Sequence, residues 1–261
     1  IVSVGARPDR IALLDNFCWG NCSKPETLGP LVRAAQACFD GAMGFEAPFI
    51  SGKDSLNNEF LCDDGTRISI PSTLLISAIS IVDDVNKCVT MDVKQVGNLL
   101  FIVGLTKNEL GGSHYYKIHG RLGANVPSVD VKTAAETARR INRAISESLV
   151  VSCHDCSEGG LAVALAGGLG VEADLRGLPR SDDCVRVDSQ IFSESNSRYI
   201  VEVEPAKYAD FAELMLNLPF GQLGKVTAGS TLVIKAEGQN SIVDVDLDTL
   251  KATWQKPLDL A

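Results

Sequence analysis

The apolar and polar positions of the chain predict alternating strands and helices. In the first third, short apolar runs rich in branched and small residues predict strands. These runs are RIALLDN at 10–16, APFIS at 47–51 and STLLISAISIVDDV at 72–85. Between the first two runs, apolar residues at helical spacing follow the S-x-x-E pattern of Ser23 and Glu26. This pattern predicts a capped helix that ends near Gly44.

The same alternation continues after residue 97. Compact apolar runs predict strands, and segments with small and apolar residues on one face predict helices. The strand segments are NLLFIVGL at 98–105, LVVSCHD at 149–155, RYIVEVE at 198–204 and STLVIKAEG at 230–238. The helical segments are 131–148, 157–169 and the stretch around 208–215, followed by a final strand and helix.

This order of elements predicts an α/β (α+β) protein with two domains. A polar break with a glycine at 93–97 precedes the point where the series of strands and helices starts again. We therefore expect one domain over 1–94 and a second over 95–261.

Composition narrows the possible partners and the compartment. The net charge of -9 disfavours a non-specific nucleic-acid surface, which needs clustered Lys and Arg. The sequence has no apolar run long enough for a membrane span, so we expect neither nucleic acid nor membrane as a partner. Its eight cysteines, without a secretory signal or a dense disulfide framework, indicate reduced thiols in a cytoplasm. Because the chain starts at Ile1, we expect it to be part of a longer polypeptide.

Polar residues follow the predicted strands of the first domain. In LLDNFCWGN, Asp15 stands at the expected end of a strand, where α/β sheets place ligands, although an Asx turn is an equal alternative. In SGKDSLNNE we expect a loop that starts at Gly52, whose backbone can approach a phosphate. Lys53 can neutralise the phosphate and Ser55 can donate a hydrogen bond to it. A solvated hairpin loop is the alternative, because the first Gly of the P-loop pattern is missing.

The segment CHDCSEGGLAVAL combines an acidic strand end with a glycine turn. Asp155 closes the strand, and Ser157 is expected to cap a helix that begins with Glu158, Gly159 and Gly160. Backbone N–H groups at a helix start favour an anion. Asp155 and Glu158 could hold Mg²⁺ between the protein and phosphate oxygens.

Two further patterns are weak by themselves. Cys153 and Cys156 form a C-x-x-C, but no second pair completes a zinc site and no thioredoxin-like context surrounds them. In FSESNSRYIVEV, the residues Glu194, Ser195 and Asn196 precede a strand. A turn with a capping serine explains that segment equally well.

Taken together and in this order, the motifs resemble the synthetase subunit of the phosphoribosylformylglycinamidine synthase (FGAM synthetase) family. The motifs are LLDNFCWGNCSKPE, SGKDSLNNE, LGGSHYYK, HDCSEGGLAVALA and FSESNSRYIVEV, and they span nearly the whole chain. The resemblance implies the second, C-terminal aminoimidazole-ribonucleotide-synthetase-like module of that subunit. It implies a partial N-terminal domain that contributes to a shared β-barrel, followed by a C-terminal α/β domain. The catalytic histidines of the family belong to the first module, so we expect no catalytic residue in this chain.

The resemblance also assigns roles to single residues. Asp15 and Gly52 match positions that bind ATP, and Ser55 matches a serine that contacts substrate. Lys53 stands where smaller members of the family have a magnesium-associated Asn. Because a cation does not ligate Mg²⁺, we expect Lys53 to contact a phosphate of ATP. The polar loop is expected to reach across to the paired module and complete its active site.

In the second domain, the resemblance implies an auxiliary ADP–Mg²⁺ site. Asp155 and the segment Glu194, Ser195 and Asn196 are counterparts of first-module residues that touch metal and substrate. The expected nucleotide contacts are Asp155, Ser157, Gly159, Gly160, Glu194, Ser195 and Asn196. The expected metal ligands are Asp155 and Glu158.

The implied reaction is the ATP-dependent amidation of formylglycinamide ribonucleotide in purine biosynthesis. The implied partners are that substrate, the missing N-terminal synthetase module, and a glutaminase that supplies ammonia. Unpaired strands at the cut edge are expected to cause self-association. A non-catalytic nucleotide-binding scaffold and another ATP-using enzyme of the same superfamily remain as alternatives.

Overall fold

The computed structural model describes residues 1–258 and divides the chain into two compact units. Unit 1 consists of Ile1 and Ala6–Asp83, and unit 2 consists of Val2–Gly5 and the chain from Asp84 onward. The structure thus groups residues 84–94 with unit 2, whereas the sequence analysis placed them in the first domain. Within residues 1–258, every helix is too short or too polar to cross a membrane.

Unit 1 is built on a small mixed sheet and one long helix. Its elements are β1 (Ala12–Cys18), α1 (Pro25–Phe45), β2 (Phe49–Ser55), β3 (Glu59–Leu61), β4 (Arg67–Ser69) and β5 (Thr73–Ile79). The main sheet has the order β2-β1-β5, in which β1 is parallel to β2 and antiparallel to β5. The helix α1 forms the crossover that a parallel pair requires. The strands β3 and β4 form a separate antiparallel hairpin.

The first two strands are longer than the sequence predicted. The expected strand end at Asp15 is wrong, because β1 continues to Cys18, which pairs with both neighbouring strands. The expected loop from Gly52 is also wrong, because the backbone from Gly52 to Ser55 pairs with β1. Ladder hydrogen bonds on both sides of β1 outweigh the low strand propensity of Asp and Asn, and pairing with β1 outweighs that of Gly in β2.

The helix α1 begins without the predicted capping box. Its N-cap is Lys24, which makes no capping side-chain bond, while the Ser23 N–H donates to Asn21 Oδ1 at 2.8 Å. Pro25 occupies the first helical position, where its missing N–H costs nothing. The helix ends at Phe45, next to the predicted end at Gly44.

Unit 2 contains the larger sheet. Its strands are β6 (Leu99–Val103), β7 (Ser152–Asp155), β8 (Gly170–Asp174), β9 (Tyr199–Val203), β10 (Phe220–Thr227), β11 (Thr231–Ala236) and β12 (Gln239–Asp246). Its helices are α2 (His114–Ile118), α3 (Val131–Ser146), α4 (Gly160–Ala164), α5 (Val187–Phe192), α6 (Tyr208–Leu214) and α7 (Leu247–Gln255). The sheet order is β12-β11-β8-β10-β6-β9-β7, and β8–β11 is its parallel pair. The mixture of helices and sheets confirms the predicted fold class.

The core of unit 2 follows the predicted apolar runs. Leu100 and Ile102 of β6 and Ile234 of β11 are fully buried in one hydrophobic cluster, which also includes Leu161 of α4. The predicted helix over 157–169 is wrong in its extent, since α4 covers only Gly160–Ala164. The preceding Gly159 has φ of 78°, a left-handed conformation that cannot continue an α-helix.

Candidate functional site

The predicted site residues of unit 1 lie on its central strand pair. In the parallel register, Asp15 lies opposite Gly52, Asn16 opposite Lys53, and Cys18 opposite Ser55. A Cβ at position 52 would lie 2.7 Å from both Cγ and Oδ2 of Asp15, and closer still to its Oδ1. The Asp15 carboxylate therefore rests against the backbone of Gly52, in space that any other side chain would occupy.

Strand geometry separates these residues into two pairs. Because successive side chains of a strand point to opposite faces, Asp15 and Gly52 share one face, whereas Lys53 and Ser55 share the other. Lys53 Nζ donates a hydrogen bond to Ser55 Oγ. The structure thus brings the residues of each pair together and separates the pairs by the thickness of the sheet.

The two faces of the sheet carry different neighbouring residues. On α1, burial raises the pKa of the Cys38 thiol and the Asp15 carboxylate raises it further, which indicates that Cys38 lies near Asp15. On the other face, Leu75 lies opposite Asn16 and its side chain is 58% exposed. Lys53 and Ser55 share this face with the exposed Leu75.

In unit 2, the segment after β7 gathers several predicted residues. Asp155 is the last residue of β7 and is exposed, as are Ser157 and Glu158. Ser157 Oγ donates to Asp155 Oδ2 at 2.7 Å. The prediction that Ser157 caps a helix is wrong, because its hydroxyl holds the Asp155 carboxylate instead and α4 begins three residues later.

The backbone N–H groups of this turn already have partners within the protein. The Gly159 N–H donates to Glu194 Oε1 at 3.0 Å, and the His114 N–H donates to the same oxygen at 3.0 Å. The Gly160 N–H donates to the Ser157 carbonyl at 3.0 Å. A carboxylate of the chain itself therefore occupies the position at which an anion was expected.

The residues on either side of Glu194 are anchored to the loop after β6. Ser195 is buried, and its Oγ accepts a hydrogen bond from the Lys107 N–H at 3.1 Å. Ser193 Oγ accepts one from the Glu109 N–H at 3.1 Å. Ser195 thus directs its hydroxyl into the protein, while Asn196 is exposed.

Arg198 holds the same segment through hydrogen bonds, and the sequence analysis missed this residue. Its side chain is fully buried, Nε donates to the Ser195 carbonyl at 3.0 Å, and Nη1 donates to Thr106 Oγ1 at 3.0 Å. Nη2 donates to the Ser193 carbonyl. Arg198 therefore binds both carbonyls that flank Glu194. A cation directly before the apolar run YIVEV was the available sequence signal.

Glu109 is a second residue that the sequence analysis missed. Its Oε1 accepts hydrogen bonds from the N–H of Ser128 at 3.0 Å and from Ser128 Oγ at 2.7 Å. Its Oε2 is buried and has no hydrogen-bond partner among the described residues. The carboxyl ties the loop after β6 to the segment before α3.

The C-x-x-C pair is suited to neither metal binding nor redox chemistry. Cys153 and Cys156 are both buried, and burial raises the pKa of each thiol. A protonated thiol is a poor nucleophile and a poor metal ligand. Among residues 1–258, no group of three or more His, Cys, Asp and Glu side chains could hold a metal ion. Bound magnesium would therefore need oxygen ligands from a phosphate or from water in addition to Asp155 and Glu158.

A groove of about 630 Å³ on unit 2 lies away from these residues. It runs between α3 and α6, and ion pairs join its three arginines to Glu136 and Glu147. Arg140 Nε donates to Glu136 Oε1 at 2.7 Å, and its Nη1 donates to the carbonyls of Leu214 and Leu216. Arg140 thus caps the end of α6, which is a structural role.

Comparison with known proteins identifies relatives of this chain. Residues 95–237 match the family described as "AIR synthase related protein, C-terminal domain". The phosphoribosylformylglycinamidine synthase subunit PurL of Deinococcus radiodurans is 33% identical over 99% of this chain, and 35% of that protein is covered. The subunit of the same name from Methanocaldococcus jannaschii is 35% identical over 97% of this chain, and 34% of that protein is covered. The chain spans about a third of the length of these curated relatives.

Solved structures share the fold at low sequence identity. Thermotoga maritima PurL complexed with FGAR has a TM-score of 0.74 and 17% identity, over 95% of this chain and 40% of that one. The hydrogenase maturation protein HypE in complex with ATP has a TM-score of 0.67 and 14% identity, over 94% of this chain and 75% of that one. These similarities show the fold of the chain.

Proposed function

The chain belongs to the family of AIR synthase related proteins, and from this premise we propose that it is one module of a phosphoribosylformylglycinamidine synthase. The observation that carries the proposal is the match of both curated relatives of that name to nearly the whole chain at 33% and 35% identity. In the proposed reaction, ATP activates the amide oxygen of formylglycinamide ribonucleotide as an iminophosphate. Ammonia then displaces phosphate, and the amidine, ADP and phosphate leave.

We propose synthetase-like domains over 1–94 and 95–261, because the family match begins at residue 95. In the first domain, the strand register supports a division of the contacts between two ligands. Asp15 and Gly52 are proposed to contact ATP on one face. Lys53 shares the other face with Ser55, the proposed substrate contact. Lys53 is therefore proposed to neutralise a phosphate group on that face, and the phosphate of the ribonucleotide fits this role.

In the second domain, we propose an auxiliary ADP–Mg²⁺ site beside Asp155. The exposed carboxylates of Asp155 and Glu158 are hard oxygen ligands, and phosphate oxygens complete such a magnesium shell. Ser157 already orients Asp155 through their hydrogen bond. Asp155→Asn is expected to weaken magnesium-dependent ADP binding at least about tenfold in calorimetric titration. An unchanged affinity would remove the assignment.

The proposed partners follow from the same relationship. The remaining two thirds of the subunit would supply the other module, with the catalytic groups. A glutaminase would supply ammonia. We also propose a cytoplasmic location. Self-association of the isolated chain is proposed because β2 and β5 are the edge strands of the sheet in unit 1. A strictly monomeric species in sedimentation velocity would contradict the self-association.

A chimera tests the function. This chain replaces the matching third of the Deinococcus radiodurans subunit, and amidation is measured with formylglycinamide ribonucleotide, ATP and ammonia. We expect product formation in the chimera and none when this segment is simply deleted. A folded chimera that binds the substrate but forms no product would argue against the proposed function.

One observation favours a second candidate, a module whose nucleotide serves only structure. The N–H groups of Gly159 and Gly160 donate to Glu194 and Ser157, so neither donor is available to stabilise a reacting phosphoryl group. In that case Asp155→Asn lowers the melting temperature of the chimera and leaves its turnover number unchanged. A loss of turnover at an unchanged melting temperature would favour a direct role instead.

A further inference from the structure

One carboxylate oxygen of unit 2 joins two turns that are far apart in sequence. Oε1 of Glu194 accepts from the N–H of His114, at the start of α2, and from the N–H of Gly159, just before α4, each at 3.0 Å. Ser113 caps α2 through a bond to the Tyr116 N–H, so α2 already has its own cap. Glu194 therefore adds a link between the turns, beyond the capping of either helix.

The backbone that carries Glu194 is held on both sides. Arg198 binds the carbonyls of Ser193 and Ser195, and the hydroxyls of these two serines accept from the N–H groups of Glu109 and Lys107. Because the residues on both sides of Glu194 make these hydrogen bonds, the backbone at Glu194 has little freedom to move. Its carboxylate is thus a fixed point against which the turn at 157–160 is set.

The turn at 157–160 packs against this fixed point. Gly159 and Gly160 both have left-handed backbone conformations, with φ of 78° and 62°. A Cβ at Gly160 would lie 2.9 Å from the carbonyl carbon of Phe192, so the turn packs directly against the segment that ends at Glu194. The same turn carries Ser157, whose hydroxyl orients the Asp155 carboxylate.

We propose that Glu194 is a positioning residue, which sets the turn at 157–160 and through it Ser157 and Asp155, without touching nucleotide or metal itself. The inference rests on the nucleotide site proposed above and changes the role expected of Glu194 there. Oε1 of Glu194 is engaged by two backbone donors. A neutral acceptor of the same reach would preserve the arrangement, whereas a direct metal or phosphate role would require the charge.

Substitutions at Glu194 separate position from charge. Glu194→Gln keeps a carbonyl oxygen at the same reach, Glu194→Asp keeps the charge but shortens the side chain, and Glu194→Ala removes the acceptor. Glu213→Ala, at an exposed carboxylate of α6, is the matched control. Hydrogen exchange of the His114 and Gly159 amides is measured in the whole chain, with the amides of β9 as the check of folding.

We expect exchange at both amides to accelerate about tenfold or more in the Ala and Asp variants. In the Gln variant and in the Glu213→Ala control, exchange is expected to stay near that of the parent chain. Unchanged exchange in the Ala variant would overturn the link between the turns. If the Ala variant does not fold, the comparison of Gln with Asp decides the same question.

Calorimetric titration with ADP and Mg²⁺ gives the second readout. We expect about tenfold weaker binding in the Ala and Asp variants and nearly full affinity in the Gln variant. Equal losses in the Gln and Ala variants would show a direct contact and overturn the positioning role. If the parent chain binds no ADP, the proposed nucleotide site fails, while the exchange data still decide whether Glu194 sets the turn.

Discussion

Replacing Gly52 by Ala tests the packing of the Asp15 carboxylate against β2. The new Cβ would lie 2.7 Å from Cγ and Oδ2 of Asp15, whereas an ordinary contact between carbon atoms is about 3.5–4.0 Å. All three of the atoms in its way belong to the end of the Asp15 side chain. We therefore expect the carboxylate to turn about its side-chain bonds while the strand backbone stays in register.

The expected magnitude follows from that movement. A side chain forced away from its preferred rotamer costs about 0.5–1.5 kcal/mol. Ala in place of Gly also restricts the unfolded chain, which stabilises by about 0.4–1 kcal/mol and partly offsets the cost. The free energy of unfolding of the single variant therefore changes little. The coupling energy between Asp15→Ala and Gly52→Ala, about 0.5–1.5 kcal/mol, isolates the steric term.

The assay is urea unfolding of the parent, both single variants and the double variant, followed by circular dichroism. Gly41→Ala is the matched control, since Gly41 lies inside α1 and a Cβ there meets no atom within 4 Å. It is expected to stabilise the chain by about 0.5–1 kcal/mol. A coupling energy of zero between positions 15 and 52 would show that the new Cβ does not displace the Asp15 carboxylate. Under the proposed ATP contact, Gly52→Ala also weakens ATP binding while Gly41→Ala does not.

Two further predictions concern groups of unit 2. Cys153 and Cys156 are expected to resist a thiol reagent at pH 8 in the native state and to react after denaturation, because burial raises the pKa of both thiols. Labelling is followed by mass spectrometry. Rapid labelling of the native protein would contradict the prediction. The hydrogen bond from Arg186 is the main cause that lowers the pKa of Asp188. The ionised Asp188 therefore stabilises the folded protein at a pH above the ordinary Asp pKa, and this stabilisation is lost as the pH falls through the lower pKa of the folded state. Asp188→Asn should therefore lower the melting temperature at pH 6 and have less effect near pH 3, and an equal effect at both would disprove the linkage.

The sequence predicted the elements whose apolar residues are continuous. The runs that became β6, β9 and β11 are buried in the sheet of unit 2, and the small and apolar face of α3 packs inward. In these segments local pattern and tertiary environment agree, so one sequence was sufficient.

The elements that were missed have patterns that only the surrounding sheet explains. In β10, Gly221 and Gly224 interrupt the apolar alternation, yet the strand pairs with both β6 and β8. The polar end of β2 read as a loop because Gly52 and Lys53 have low strand propensity, but β1 supplies a complete row of partners. Pairing with distant segments decided both cases.

The sequence motifs named the residues of a candidate site and did not give their arrangement. Asp155, Ser157 and Glu194 lie close together, since hydrogen bonds join Ser157 to Asp155 and Glu194 to the same turn. The motifs gave no sign that Glu194 would occupy the backbone donors, or that Arg198 would hold its segment. These contacts of Glu194 and Arg198 depend on the directions of their side chains, which a sequence pattern does not show.

The most direct test of this account is whether the chain holds its own nucleotide. Purified protein is denatured and analysed for released ADP, and the emptied chain is then titrated calorimetrically with ADP in the presence and absence of Mg²⁺. We expect retained ADP or binding that requires Mg²⁺. A folded chain that releases no nucleotide and shows no heat of binding under either condition would contradict the proposed site beside Asp155.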